Sequence, residues 1–221
     1  MKLTLAKLFL AATGGFGAVL VLSLTGCRSA GYTKSDAAAS RLQRAAFEVR
    51  GEISLLDGTI ASLNDLLNKA SGDLRLPFRR FSDALDQLAA ANRRAVGEVS
   101  GLRKSGAAYF DAWDKEILRM NDEKIHQNSS ARKSDTVEQF DAALREYADA
   151  QNALLPVINY LKDIRTALSA DLTMGGLQAA KEPAKSAADN AGKAKDRLSR
   201  SANTLDALSE KMSFFAPEKT K

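Results

Sequence analysis

The sequence contains a single cysteine, Cys27, and its position restricts the chemistry open to its thiol. Lys2 and Lys7 form a short basic segment, which is followed by an apolar stretch over residues 8–22 that contains three glycines. This arrangement is typical of an export signal, and the shortness and glycine content of the apolar stretch argue against a membrane span. The thiol therefore lies where an export signal would be cleaved.

The residues directly before the thiol resemble the lipobox of bacterial lipoproteins. Leu24, Thr25 and Gly26 form a leucine–small–glycine triplet that leads into Cys27. The resemblance implies that diacylglycerol is attached to the thiol, that the chain is cleaved before Cys27, and that the new amino group is acylated with a fatty acid such as palmitate. Several acyl chains matter because one chain alone gives only marginal membrane binding. The alternatives are a plain signal peptide followed by a free thiol, and an uncleaved membrane anchor.

The only histidine, His126, is the other residue with catalytic potential. With Glu123 it forms Glu-x-x-His, which is half of the motif that binds carboxylate-bridged di-iron centres in helical bundles. The second half requires another histidine, which the sequence lacks. Catalysis by a serine would need the same histidine, and no Gly-x-Ser-x-Gly motif supports it. We therefore expect no enzymatic activity, no metal, no cofactor and no small-molecule substrate.

Composition and charge favour an exported helical domain. The sequence has 32 basic and 27 acidic residues, and loss of residues 1–26 removes two lysines, which leaves a net charge of +3. This small excess, with both signs interspersed, argues against nucleic acid as a partner. Once Cys27 is acylated, no cysteine remains for a disulfide. Alternating strand patterns are absent and only four prolines interrupt the chain, so the fold class is predicted to be all-α.

Apolar residues at alternating spacings of three and four predict four long helices. The first is predicted to begin near Ser35 and to end before a turn at 68–73. The second runs from about Asp73 to Gln127, with Asn128-Ser129-Ser130 as the next turn.

The third helix is predicted to begin between residues 131 and 135, where Asp135 and Glu138 resemble a capping box. Pro156 lies inside it and predicts a kink, and Thr173-Met174-Gly175-Gly176 ends it. The fourth seam runs from Leu177 to Phe215 and is rich in alanine in its first half. Polar residues in the second and third seams, Asn92 and Gln151, are expected to fix the register of the helices.

These helices predict an elongated antiparallel bundle in which the second and third helices are longest. Part of these two helices is expected to project as a hairpin or to find another partner. An elongated three-helix bundle with a partly docked fourth segment is the competing architecture. The domain prediction assigns 1–26 to the signal peptide, 27–34 to a lipidated tether, 35–215 to the bundle and 216–221 to a flexible tail. The seam of the projecting hairpin is the candidate interaction surface, and its residues are Gly106, Tyr109, Trp113, Ile117 and Met120.

Several segments of the mature chain resemble a family of bacterial lipoproteins known as domain of unknown function 2959. The resemblance implies a coiled-coil fold and a location in the cell envelope, and it implies no activity. Apart from the lipobox, it rests on Gly72-Asp73-Leu74, the segment 109–116, Ser129 and Ser130, Tyr147, Leu155-Pro156-Val157, and Leu161-Lys162-Asp163 to Leu168.

The sequence thus predicts a lipid-anchored protein on the periplasmic face of the outer membrane. Arg28 follows the cysteine, whereas an aspartate there retains many lipoproteins at the inner membrane. The bundle is expected to act as a spacer, scaffold or docking surface for another envelope protein or for a second copy. The alternative is a lipid-surface or membrane-remodelling protein whose long basic helix lies along the bilayer. A remote alternative is covalent linkage of Lys221 to peptidoglycan, as in the murein lipoprotein of enteric bacteria.

Overall fold

The computed structural model describes residues 30–69 and 72–213. They form four helices: α1 (Ala30–Leu67), α2 (Arg75–Ile117), α3 (Glu123–Ala170) and α4 (Met174–Met212). Helices α1 and α3 each pack on both α2 and α4, whereas the backbones of the two diagonal pairs do not approach each other closely. The described chain is therefore an antiparallel four-helix bundle with α2 and α3 longest, as predicted, and the three-helix alternative is wrong. The export signal, the lipobox with Cys27, and the residues from 214 to Lys221 lie outside the described residues.

The predicted seams form the core of the bundle. Phe81, Leu85 and Leu88 of α2 are wholly buried, as are Leu42 and Val49 of α1. The alanine-rich seam of α4 is buried along its whole length, since small side chains let helices approach closely. Its buried positions are Leu177, Ala180, Ala184, Ala187, Ala191, Ala194, Leu198, Ser201, Leu205, Leu208 and Met212.

Helix α1 begins five residues earlier than the sequence predicts. The predicted N-cap, Ser35, lies inside the helix, so residues 30–34 of the predicted tether are helical. The Ser35 hydroxyl donates a hydrogen bond to the carbonyl oxygen of Met212 at the end of α4. A hydroxyl that resembles a cap in the sequence is thus used between helices.

The turn between α2 and α3 lies about ten residues before its predicted place. Helix α2 ends at Ile117, and Asp122 begins α3 by accepting a hydrogen bond from the backbone N–H of Ile125 at 2.9 Å. An aspartate in this N-cap position satisfies one of the free N–H groups of the first turn. The predicted turn at Ser129 and the predicted capping box at Asp135 are wrong, because both residues lie within α3.

The other two turns lie close to their predicted positions. Gly72 has a φ of +94°, a conformation that favours glycine, between α1 and α2. Thr173 caps α4, so the predicted end of the third helix forms the start of the fourth. A Cβ atom on Gly176 would lie 2.1 Å from the carbonyl oxygen of Asp171, so only glycine fits this tight connection. Pro156 lies inside α3 without ending it, as predicted.

A buried polar layer joins three helices in the middle of the bundle. Asn92 of α2 donates from Nδ2 to Oε1 of Gln151 on α3 at 2.9 Å, and also to its backbone carbonyl at 3.2 Å. Gln151 donates from Nε2 to Oε2 of Glu52 on α1 at 2.7 Å. Asn92 and Gln151 therefore contact each other, and Glu52 is a third member that the seam pattern did not predict.

Burial gives Glu52 an unusual titration. Glu52 is only 2% exposed, and its Oε1 atom has no hydrogen-bond partner among the described residues. Loss of hydration raises the pKa of Glu52 from 4.5 to about 7, although the hydrogen bond from Gln151 acts in the opposite direction. The folded protein therefore holds a proton on Glu52 at pH values where the unfolded chain has released it.

We predict that Glu52 makes the bundle less stable as the pH rises. Because the folded-state pKa lies above the unfolded value, its contribution is complete below pH 4.5 and is lost as the pH passes through about 7. The shift corresponds to roughly 3 kcal/mol of unfolding free energy. Glu52→Gln keeps the acceptor for Gln151 and removes the titration. Urea unfolding followed by circular dichroism is expected to show a flatter pH dependence and higher stability at about pH 8.

Glu138→Gln provides the matched control, since Glu138 is an exposed glutamate on α3. This variant is expected to keep the pH dependence of the parent protein. If Glu52→Gln and the parent lose stability in parallel between about pH 5 and pH 8, the raised pKa of Glu52 is refuted.

Candidate functional site

The end of the bundle at which α1 begins is formed mainly by the α2–α3 hairpin. Ser35 hydrogen-bonds with both Met212 and Tyr109, so these three residues share one level along the bundle. Residues 110–117 of α2 continue past this level by about 12 Å at 1.5 Å per residue. Helix α1 continues past it from Ser35 to Ala30, which is about 8 Å. The tip of the hairpin (residues 118–125) therefore extends beyond the end of α4 and lies beside the start of α1. The part of the hairpin beyond the level of Ser35 is called the overhang.

Polar contacts hold the two helices of the overhang together. The indole Nε1 of Trp113 donates to Oγ of Ser129 at 2.9 Å. Lys133 Nζ donates to both carboxylate oxygens of Asp114 at 2.6 and 2.7 Å. Buried tryptophan N–H groups usually have such a partner. Ser129, which was predicted to lie in a turn, thus holds Trp113 of the opposite helix by a hydrogen bond.

Aromatic side chains fill the base of the overhang. The ring centroid of Tyr109 lies 5.1 Å from the ring centroid of Phe110 and 5.4 Å from that of Trp113. Phe110 contacts Phe140 of α3 edge-to-face at 5.5 Å. The Phe140 ring lies directly over Gly106, where a Cβ atom would be 2.3 Å from the ring. This glycine allows α3 to approach α2 closely.

The predicted interaction surface is divided between core and solvent. Gly106 and Ile117 are buried within the chain's own bundle, so they present no surface to a partner. Tyr109, Trp113 and Met120 are half-buried, and each keeps an outer edge in solvent. Their role in binding another protein stays a prediction.

The tip exposes apolar residues that lie outside the predicted seams. Leu118 is 81% exposed, the most of any large apolar side chain in the described residues, and Ile125 in the first turn of α3 is 58% exposed. Two basic residues, Arg119 and Lys124, and two acidic residues, Asp122 and Glu123, surround them, so the tip carries no net charge. The sequence signal was the pair Asn121-Asp122, an N-cap candidate that the continuous seam obscured.

No metal site forms among the described residues. His126 lies in the first turn of α3, and no group of three His, Cys, Asp or Glu side chains in residues 30–69 and 72–213 comes together to hold an ion. None of the helices in this part of the chain is long and apolar enough to cross a bilayer.

The opposite end of the bundle carries a shallow apolar groove. Its volume is about 390 Å³, and it is lined by Tyr160 and Ile164 of α3 and by Ala180 and Pro183 of α4. Leu76 and Met174, each 53% exposed, lie at the same end in the first turns of their helices. Alanine fills less space than leucine, so the alanine-rich start of α4 leaves this groove.

We predict that Gly106 and Gly97 respond in opposite directions to alanine. Gly106→Ala pushes the Phe140 ring out of its place and is expected to lower the unfolding free energy by about 1–3 kcal/mol. Gly97 lies in the same helix with no atom within 4 Å of an added Cβ. Gly97→Ala is expected to raise the stability by about 0.5–1 kcal/mol through helix propensity. Urea unfolding measures both, and equal effects would contradict the close packing at Gly106.

Comparison with known proteins gives a family but no activity. A family model described as a protein of unknown function (DUF2959) matches residues 25–212. No curated protein matches the sequence. The matched region contains all four helices and the hairpin described above. The chain therefore belongs to the DUF2959 family.

Proposed function

We propose that this protein is a non-enzymatic, lipid-anchored component of the bacterial cell envelope whose bundle serves as a spacer, scaffold or docking surface. The observation that carries the proposal is the place where α1 begins. Cys27 precedes Ala30, the first residue of α1 at one end of the bundle, by three positions. Three residues reach at most about 11 Å, so acyl chains on Cys27 would hold the rod by that end.

The dimensions of the bundle suit a spacer. Helix α3 has 48 residues, which corresponds to a length of about 72 Å. Its turn with α4 and the turn between α1 and α2 lie at the end away from Ala30. An anchored rod of this kind holds that end, with Leu76 and Met174, far from the membrane surface.

The region that the family model matches begins at residue 25, so it contains Gly26 and Cys27 together with the helices. Arg28 after the cysteine favours the outer membrane as the location. Recognition without turnover rests on the sequence, in which the single histidine lacks the partner residues that the known catalytic and di-iron motifs require.

A bundle with closed seams disfavours the alternative of a helix lying along the bilayer. Such a helix must bury an apolar face in the headgroup region. The apolar face of α2, with Phe81, Leu85 and Leu88, is wholly buried against the other helices. Insertion of this face into lipid would require the bundle to open.

We predict that Cys27→Ser abolishes membrane attachment. The serine cannot receive the thioether-linked diacylglycerol, so the variant is expected to leave the envelope fraction or to accumulate as the uncleaved precursor. Fractionation of cells and mass spectrometry of the purified protein measure both outcomes. Ser29→Ala, two residues further on, is the matched control and should stay acylated. A Cys27→Ser protein of mature size that still fractionates with the envelope would refute the anchor.

The docking function predicts contacts from the exposed apolar residues of the rod. A photoactivatable amino acid in place of Phe47, which is 74% exposed on α1, or of Leu76 is expected to crosslink in cells to another envelope protein or to a second copy. Ser54, an exposed polar position on α1, gives the background. If crosslinks at the apolar positions do not exceed those at Ser54, a docking role for these faces is wrong.

A further inference from the structure

We propose that the tip of the α2–α3 hairpin is a second membrane contact that holds the bundle upright on the bilayer. This inference rests on the proposed acylation of Cys27. The contact consists of the side chains of Leu118 and Ile125, which enter the interfacial region of the same bilayer that holds the acyl chains.

The register of the bundle brings the tip and the anchor to the same level. Residues 110–117 carry α2 about 12 Å past Ser35, and the turn lies beyond them. Helix α1 reaches about 8 Å past Ser35, and the three residues back to Cys27 add up to about 11 Å. The acylated cysteine can therefore lie in the plane of the tip, whereas α4 ends about 12 Å short of it.

The chemistry of the tip suits a lipid interface. Leu118 and Ile125 are exposed, although the seam residue next to them, Ile117, is buried and holds the turn in place. The charges of Arg119 and Lys124 are balanced by Asp122 and Glu123, and Arg119 also contacts Glu116 at 3.3 Å. The contact is therefore apolar, and it does not depend on anionic lipid or on low salt.

Two apolar side chains are enough for a stable membrane contact because the acyl anchor already holds the tip close to the bilayer. Two such side chains bind a free protein to a membrane only weakly. Acylation of Cys27 turns the same contact into an intramolecular event at high effective concentration. The tip then forms a second point of attachment to the membrane, and together with the anchor it restricts the tilt of the rod.

The test uses fluorescence from the tip in a defined membrane. The full-length acylated protein is prepared with Leu118→Cys or Ile125→Cys, each labelled with an environment-sensitive fluorophore, and is reconstituted into phosphatidylcholine vesicles. Since the only native thiol is acylated, the introduced thiol alone reacts. Leu76→Cys and Met174→Cys, exposed apolar positions at the other end, are the matched controls.

The expected result is a shift of emission to shorter wavelength at positions 118 and 125, and loss of most of that emission when the vesicles contain spin-labelled lipid. Labels at 76 and 174 should keep their emission, and high salt should change neither pair. The proposal is overturned if the tip labels are quenched no more than those at 76 and 174. A blue shift without lipid quenching also overturns it, because it indicates contact with protein.

Flotation and mass spectrometry of the same samples separate the two proposals. A protein that carries acyl chains and floats with the vesicles, but whose tip labels remain in water, refutes the tip contact alone. A protein without acyl chains refutes the anchor, and the tip contact falls with it.

Discussion

The hydrogen bonds among Glu52, Gln151 and Asn92 fix the register of three helices, and the shape of the molecule follows from that register. Apolar seams with a regular spacing pack almost equally well after a slide of one heptad. A buried amide or carboxyl group does not, because a slide separates it from its partner and leaves it without a hydrogen bond. With α1, α2 and α3 aligned at this layer, the unequal lengths of the helices appear at the ends, where α2 and α3 overhang.

The alanine seam of α4 buries less apolar area than a leucine seam would. A buried leucine contributes about 1.5–3 kcal/mol through burial, and an alanine contributes less. Close approach of the backbones partly offsets this loss. Polar contacts across the surface help to fix the register of α4 against α1 and α3. Lys195 of α4 contacts Asp57 of α1 at 2.6 Å, and Thr204 donates to Glu146 of α3 at 2.8 Å. Surface ion pairs such as Lys195–Asp57 are individually weak, so α4 docks by the sum of many small contributions.

The sequence predicted the seams well and the helix ends poorly, for a physical reason. Seams depend on a repeating spacing, which the chain displays directly, and most residues of the four predicted seams are buried in the bundle. Helix ends depend on single hydrogen bonds, and a side chain that resembles a cap or a turn residue in the sequence can bond to another helix instead. Ser35 resembles a cap but donates to Met212, and Ser129 resembles a turn residue but accepts from Trp113. Burial of Glu52 was equally hidden, since it follows from the register of three helices and not from its neighbours in the sequence.

The closed core also limits how this protein can recognise anything. Exposing a seam means removing wholly buried leucines and phenylalanines from the bundle, and each such residue opposes the change by about 1.5–3 kcal/mol. A surface contact of modest strength cannot supply that energy. Recognition must therefore use what the folded bundle already exposes, which is the outer faces with residues such as Phe47 and the two ends. Those ends differ, because the tip with Leu118 and Ile125 lies beside the start of α1, whereas the groove near Tyr160 lies at the far end. In the proposed function, acylation of Cys27 would place the end with Leu118 and Ile125 at the membrane, and the end with the groove would then lie at a distance from it.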